Sequence, residues 1–266
     1  DTFSVSDVDL IDGIITVGET LDAGQYAGSF YIRFISGEGE GLWTTISDNG
    51  TNDFAVENLD VLDYVNAGDT FTVFEHHTLG SVFAPGLFGT SYVNGTQVLL
   101  YDNDVNSLVL NKSSSKAAVY TTSGGGRWVG AGVSSDTVIE PETLFIVRNG
   151  SDQELEIILY GDTPDYNVST LIAPEGDVVM GTGFPVGVTL NKSGLGGNMR
   201  SVLFYDNSAT GYNKSSVKSA LYVLSGGGQW VGKDVTGEEV IAPSEAITLR
   251  LPSTETEAKV TVVKPY

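Results

Sequence analysis

Two acidic patterns and two glycine–tryptophan turns are the residues of this chain whose types and spacing bear on chemistry. Asp102-x-Asp104-x-Asn106 has the alternate-oxygen spacing that opens a calcium loop. Ser107 stands where such a loop needs its glycine, and Ser113 where it needs a bidentate glutamate. The bland reading is that Asp102-Asn103, and likewise Asp206-Asn207, end strands in Asx turns. If calcium binds, Asp102 and Asp104 are the expected ligands, and no other cofactor is expected. Asp7, Asp9 and Asp12 form a further acidic cluster.

The second pattern is Ser-Gly-Gly-Gly-x-Trp, at Ser123–Trp128 and again at Ser225–Trp230. Three glycines permit a tight reversal through positive φ. Trp128 and Trp230, with Tyr120 and Tyr222 beside them, would serve either as stacking platforms for sugar rings or as buried anchors beneath their hairpins.

Other chemistries find little support. His76 and His77 are adjacent, so on a strand they face opposite ways and cannot share one metal. There is no cysteine, which removes thiol catalysis, thiolate metal sites and disulfides together. Neither a Gly-x-Ser-x-Gly elbow nor a Lys-Ser/Thr after the triple glycine occurs. Paired carboxylates for glycoside cleavage need only spatial proximity, and the sequence singles out no pair. The expectation is a non-enzymatic protein. Seven Asn-x-Ser/Thr sequons are present. Asn111 and Asn213 are repeat-equivalent, and Asn167 alone has an acid two residues before it, making these three the candidate glycosylation sites.

The elements that must position these residues read as strands. Runs such as Phe30–Ile35, Thr70–Phe74, Leu155–Leu159 and Lys259–Val263 are rich in aromatic and β-branched residues. Asn-Gly turn signals fall at Asn49, Asn94 and Asn149. The chain of 266 residues, 41% apolar, is long enough for one large core or several small ones. With 34 acidic against 13 basic side chains its net charge is −21, which excludes nucleic acid as a partner. No apolar stretch approaches the ~20 residues of a spanning helix, so membrane insertion is not expected. The Asp1 start and the acidic balance suggest an exported protein, extracellular or at the cell surface, with a cleaved leader.

Internal repetition is the strongest organisational signal. Val98–Asn103 matches Val202–Asn207, Asn111–Ser114 matches Asn213–Ser216, Ser123–Gly130 matches Ser225–Gly232, and Val138–Pro141 matches Val240–Pro243. A weaker match aligns Leu79–Val82 with Val186–Thr189. The expected fold is all-β: a small N-terminal β module over 1–72, then two tandem homologous sandwich- or barrel-like repeats over 73–161 and 181–266. Pro164, Pro174 and Gly176 make 162–180 the expected connector.

The run Phe30–Ile46, with Ser36-Gly37 and Gly41-Leu42-Trp43-Thr44-Thr45-Ile46, resembles a family of exported β-rich proteins of Verrucomicrobia-like bacteria. Ala67–Phe71, Thr78-Leu79-Gly80 and the paired Tyr-Asp-Asn and Asn-Lys-Ser modules carry the same likeness. The resemblance implies export and β-architecture, without an activity, and a further strand ahead of the region matching Phe3.

Two functions fit. One is an extracellular structural subunit that self-assembles into a filament, fibre or surface layer. The other is a secreted carbohydrate- or surface-binding module whose partners are extracellular glycans bound on Trp128 and Trp230. For the first, Phe3, Val5, Val8 and Leu10 present an apolar strip with a one-residue shift at Asp7, suited to filling a neighbouring subunit's sheet edge. Pairing of that strip within its own chain is the alternative.

Overall fold

The computed structural model describes residues 1–101, 114–158, 161–172, 176–206, 215–243, 245–254 and 259–266. The first six strands are β1 (Thr2–Asp9), β2 (Ile14–Val17), β3 (Phe30–Phe34), β4 (Trp43–Asn49), β5 (Asp53–Val56) and β6 (Thr70–Glu75). They close into a barrel in the order β1-β2-β5-β4-β3-β6. Alternation decides what faces inward: Ile32 and Phe34 are enclosed on β3, Phe54 and Val56 on β5, Phe71 and Val73 on β6. Phe3 from β1 completes this core, edge-on to Phe54 at 5.3 Å between ring centres.

β1 therefore pairs within its own chain, with β2 on one side and β6 on the other. Phe3 and Val5 are core residues, Val8 sits half-buried at the rim, and Leu10 lies past the strand's end, half exposed. This corrects the expected assembly strip, because withdrawing β1 would open a closed barrel. The shift read at Asp7 is real: the β1–β2 register slips between Val5 and Asp7. Barrel strand β6 runs to Glu75, so the first module ends beyond residue 72.

The next strands are β7 (His77–Thr78), β8 (Gln97–Leu100), β9 (Lys116–Thr121), β10 (Arg127–Gly130), β11 (Val133–Ser134), β12 (Val138–Ile139) and β13 (Phe145–Arg148). They form a sheet β11-β10-β9-β8-β13 and a small pair β12-β7. The last strands are β14 (Val168–Leu171), β15 (Asp177–Met180), β16 (Val188–Thr189), β17 (Ser201–Phe204), β18 (Lys218–Val223), β19 (Gln229–Val231), β20 (Val240–Ile241), β21 (Ile247–Arg250) and β22 (Lys259–Val262). Here the sheet is β15-β21-β17-β18-β19, with pairs β16-β20 and β14-β22.

The repeated sequences occupy repeated positions: β10-β9-β8-β13 are adjacent in the order in which β19-β18-β17-β21 are. Ladder register also corrects one alignment. Thr78 faces Val138 and Thr189 faces Val240, so Thr78-Leu79 corresponds to Thr189-Leu190. The expected connector is not a connector, since β14 and β15 within it are strands of the second repeat. Each is four residues long and mostly enclosed on both faces, so neither alternates. Of the run expected from Leu155, the described residues 155–158 form no strand; Leu155 and Ile157 pack half-buried on the first repeat's core. Among the described residues no helix is long and apolar enough to cross a membrane.

Candidate functional site

Strand alternation that sends Ile32 and Phe34 into the barrel sends Tyr31 and Arg33 outward. On that outer face Glu142 of the first repeat and Tyr166 lie against Arg33. Arg33 is almost fully enclosed there. Its Nη1 donates to the Gly41 carbonyl at 2.8 Å and its Nη2 to Glu142 Oε1 at 2.6 Å. The guanidinium also lies 5.9 Å from the Tyr31 ring centre and 5.6 Å from that of Tyr166. Trp43, Phe74 and His76 extend the aromatic cluster, with His76 5.0 Å from Tyr31. Glu142 holds its carboxylate in place from a backbone φ of 56°, a conformation costly for a residue with a side chain.

Burial controls the protonation of this cluster. It pushes the Tyr31 hydroxyl up to about 12 against the lowering influence of Arg33. It raises the Glu142 carboxyl above its ordinary value, although Arg33 and the Trp43 indole pull the other way. Arg33 is held charged because Glu142, Tyr166 and Tyr31 outweigh the desolvation that would lower it. Burial, then the charge of His77, lowers His76. Its Nε2 lies 3.3 Å from the Thr45 hydroxyl, and its Nδ1 is enclosed without a partner.

Beside the ion pair a cleft of about 440 Å³ opens between barrel and repeats. Trp43, Glu57, Tyr101, Lys116, Glu140 and Thr170 contribute to its walls. A second polar clamp joins the barrel to the second repeat. The backbone N–H of Asn167 donates to Glu40 Oε1 at 2.9 Å, and its Nδ2 donates to Glu40 Oε2 at 3.1 Å. Asn167 Oδ1 accepts from the Lys264 N–H at 2.9 Å. Gly41, at φ 84°, lets this happen: a Cβ there would collide with the Asn167 carbonyl. The sequence marks Gly41 as the start of the Gly41–Ile46 run but carries no signal for its distant partner.

Trp128 and Trp230 are 1% and 4% exposed, so neither offers a face to a sugar. The Trp128 indole donates to the Phe83 carbonyl at 3.0 Å, and that of Trp230 to the Leu190 carbonyl at 3.3 Å. Tyr120 and Tyr222 pack edge-on to them, at 5.3 Å and 5.2 Å. Trp128, Trp230 and Tyr120 are buried anchors and Tyr222 packs half-buried beside Trp230, which corrects the platform reading. Each tyrosine hydroxyl covers the third glycine of its turn, leaving no room for a Cβ at Gly126 or Gly228.

Asn167 is likewise removed from the candidate glycosylation sites, because its amide is committed to Glu40. Asp102, Asp104, Asn111 and Asn213 lie outside the described residues. Asp9 Oδ1 accepts from the N–H groups of Ile11 and Asp12, which makes the N-terminal acidic cluster a turn. Among the described residues no group of three or more His, Asp or Glu is arranged to hold a metal ion. The chain matches no family model, no curated protein and no solved structure.

Proposed function

We propose that this chain is a non-enzymatic extracellular structural subunit that self-assembles into a filament, fibre or surface layer. One observation carries the reading: the polar groups at the centre of the molecule are used to fasten its parts to one another. Arg33–Glu142 and Glu40–Asn167 both join the barrel to later parts of the chain. A subunit that transmits force needs such fixed junctions more than it needs an open reactive centre. The charge of −21 supports an exported setting, where salt screens repulsion between copies.

Electron microscopy and sedimentation across protein concentration test the proposal. Concentration-dependent polymers are the expected result, and a monomer at every concentration and ionic strength overturns it. A carbohydrate-binding role would have to use the junction cleft and Trp43 instead of the enclosed tryptophans. Glycan binding lost in Trp43→Ala would favour that second reading.

A further inference from the structure

The two repeats differ at one edge. In the second, β15 runs antiparallel beside β21, with Val178 opposite Leu249 and Met180 opposite Ile247. In the first, β13 occupies the position of β21, and among the described residues no strand lies on its outer side. The chain that would have supplied one, just ahead of β7, is β6, and β6 is engaged by β1 and β3 in the barrel.

The consequence shows in burial and in hydrogen bonding. Ile247 and Leu249 are 1% and 0% exposed, whereas their counterparts Phe145 and Val147 are only half-buried. The N–H of Tyr101 donates to the Leu144 carbonyl across the β8–β13 ladder. Alternation then turns the backbone groups of Phe145 and Val147 away from β8, toward the side on which no described strand lies. The equivalent groups in the second repeat face Val178 and Met180, as the bond from the Leu251 N–H to the Gly176 carbonyl requires. Ile146 stands 42% exposed on the same edge. The other layer differs too: β22 pairs with β14, while among the described residues no strand lies beside Leu155 and Ile157.

We propose that the outer edge of β13 accepts an extended strand from a partner polypeptide, by β-augmentation. The second repeat states the chemistry of the occupant. Asp177 grips Arg250 through two bonds of 2.8 and 2.9 Å, and Arg148 holds the Arg250 position in the first repeat. The occupant is therefore an antiparallel segment with apolar residues opposite Val147 and Phe145, as Val178 and Met180 lie opposite Leu249 and Ile247. Asp-Val-Val-Met, the sequence of β15, is its template. The inference stands independently of polymerisation, since the donor can belong to any protein with that pattern.

The test titrates a fluorescent peptide of residues 165–182 into the full chain. Saturable binding is expected. Val147→Pro removes one outward N–H and places a ring on the edge without touching the β8 ladder. It should weaken binding at least about tenfold, the equivalent of one to two backbone hydrogen bonds. The chain has no cysteine, so Ile146→Cys should cross-link to a peptide carrying Val179→Cys, its register partner. Val231→Cys, on an edge strand of the second repeat and similarly exposed, should not. Absence of saturable binding, equal cross-linking at both cysteines, or unchanged affinity in a folded Val147→Pro protein would overturn the proposal. Sedimentation of the chain alone identifies the donor. Self-association abolished by Val147→Pro makes it a second copy, and a monomer that binds peptide makes it a different protein; both uphold the acceptor edge.

Discussion

Phe3 touches Tyr26, Phe54 and Phe71 inside the barrel, so its truncation leaves a cavity among rings that cannot collapse. Phe3→Ala is expected to cost about 3–5 kcal/mol, measurable by urea denaturation. His76 and Glu142 give the molecule opposing responses to acid. The His76 pKa is lowered in the folded state, so its contribution is complete above pH 6.5 and is lost as pH falls below that value. The Glu142 pKa is raised, so its contribution is present below the ordinary carboxylate value and is lost as pH rises through the folded one. His76→Phe should flatten the fall in melting temperature below pH 6.5. Glu142→Gln should remove the opposing slope, while destabilising the protein at neutral pH by leaving Arg33 enclosed without its carboxylate. A His76→Phe curve parallel to the parent's below pH 6.5, or a Glu142→Gln curve parallel to it above pH 4.5, would refute the respective assignment.

At the scale of elements, deletion of residues 1–12 removes a strand from a closed barrel and exposes the edges of β2 and β6. A lower melting temperature and loss of barrel protection in hydrogen exchange are expected. A folded, unperturbed barrel would contradict the pairing described. The elements that sequence patterns reveal best are those with local grammar. The triple-glycine hairpins are legible because positive φ and a following Trp are written in adjacent residues, and φ values of 75°, 94° and 84° at Gly124–Gly126 bear them out. β14 and β15 were illegible for the opposite reason. Each is a four-residue run without alternation, set among Pro164, Pro174 and Gly176, and its partner lies 67 or more residues later. Burial of the two tryptophans is likewise a property of distant packing, since residues 83 and 190 supply their carbonyl partners. The strip of Phe3 and Val5 was readable as a strand; which chain it paired with was not, because its partner strand β6 is separated from it by sixty residues of intervening barrel.

For the whole molecule, charge governs encounter. At −21 two copies repel over roughly 10 Å at 0.1 M salt and much farther at low salt. Self-assembly should therefore strengthen as ionic strength rises from about 0.01 to 0.15 M. Light scattering that falls over this range would point to attraction between opposite charges instead.

The sharing of β6 also sets a timetable for synthesis. Every strand of the barrel is available once Glu75 has been made, so that module can close while the remainder is still being translated. The second repeat cannot: β14 waits for β22, some ninety residues later, and Asn167 waits for Lys264. Until the last strand arrives, a half-built sheet with apolar β14 exposed must be kept from aggregating. A chain ending at residue 258 should accordingly retain a barrel that resists protease, beside a second repeat that does not.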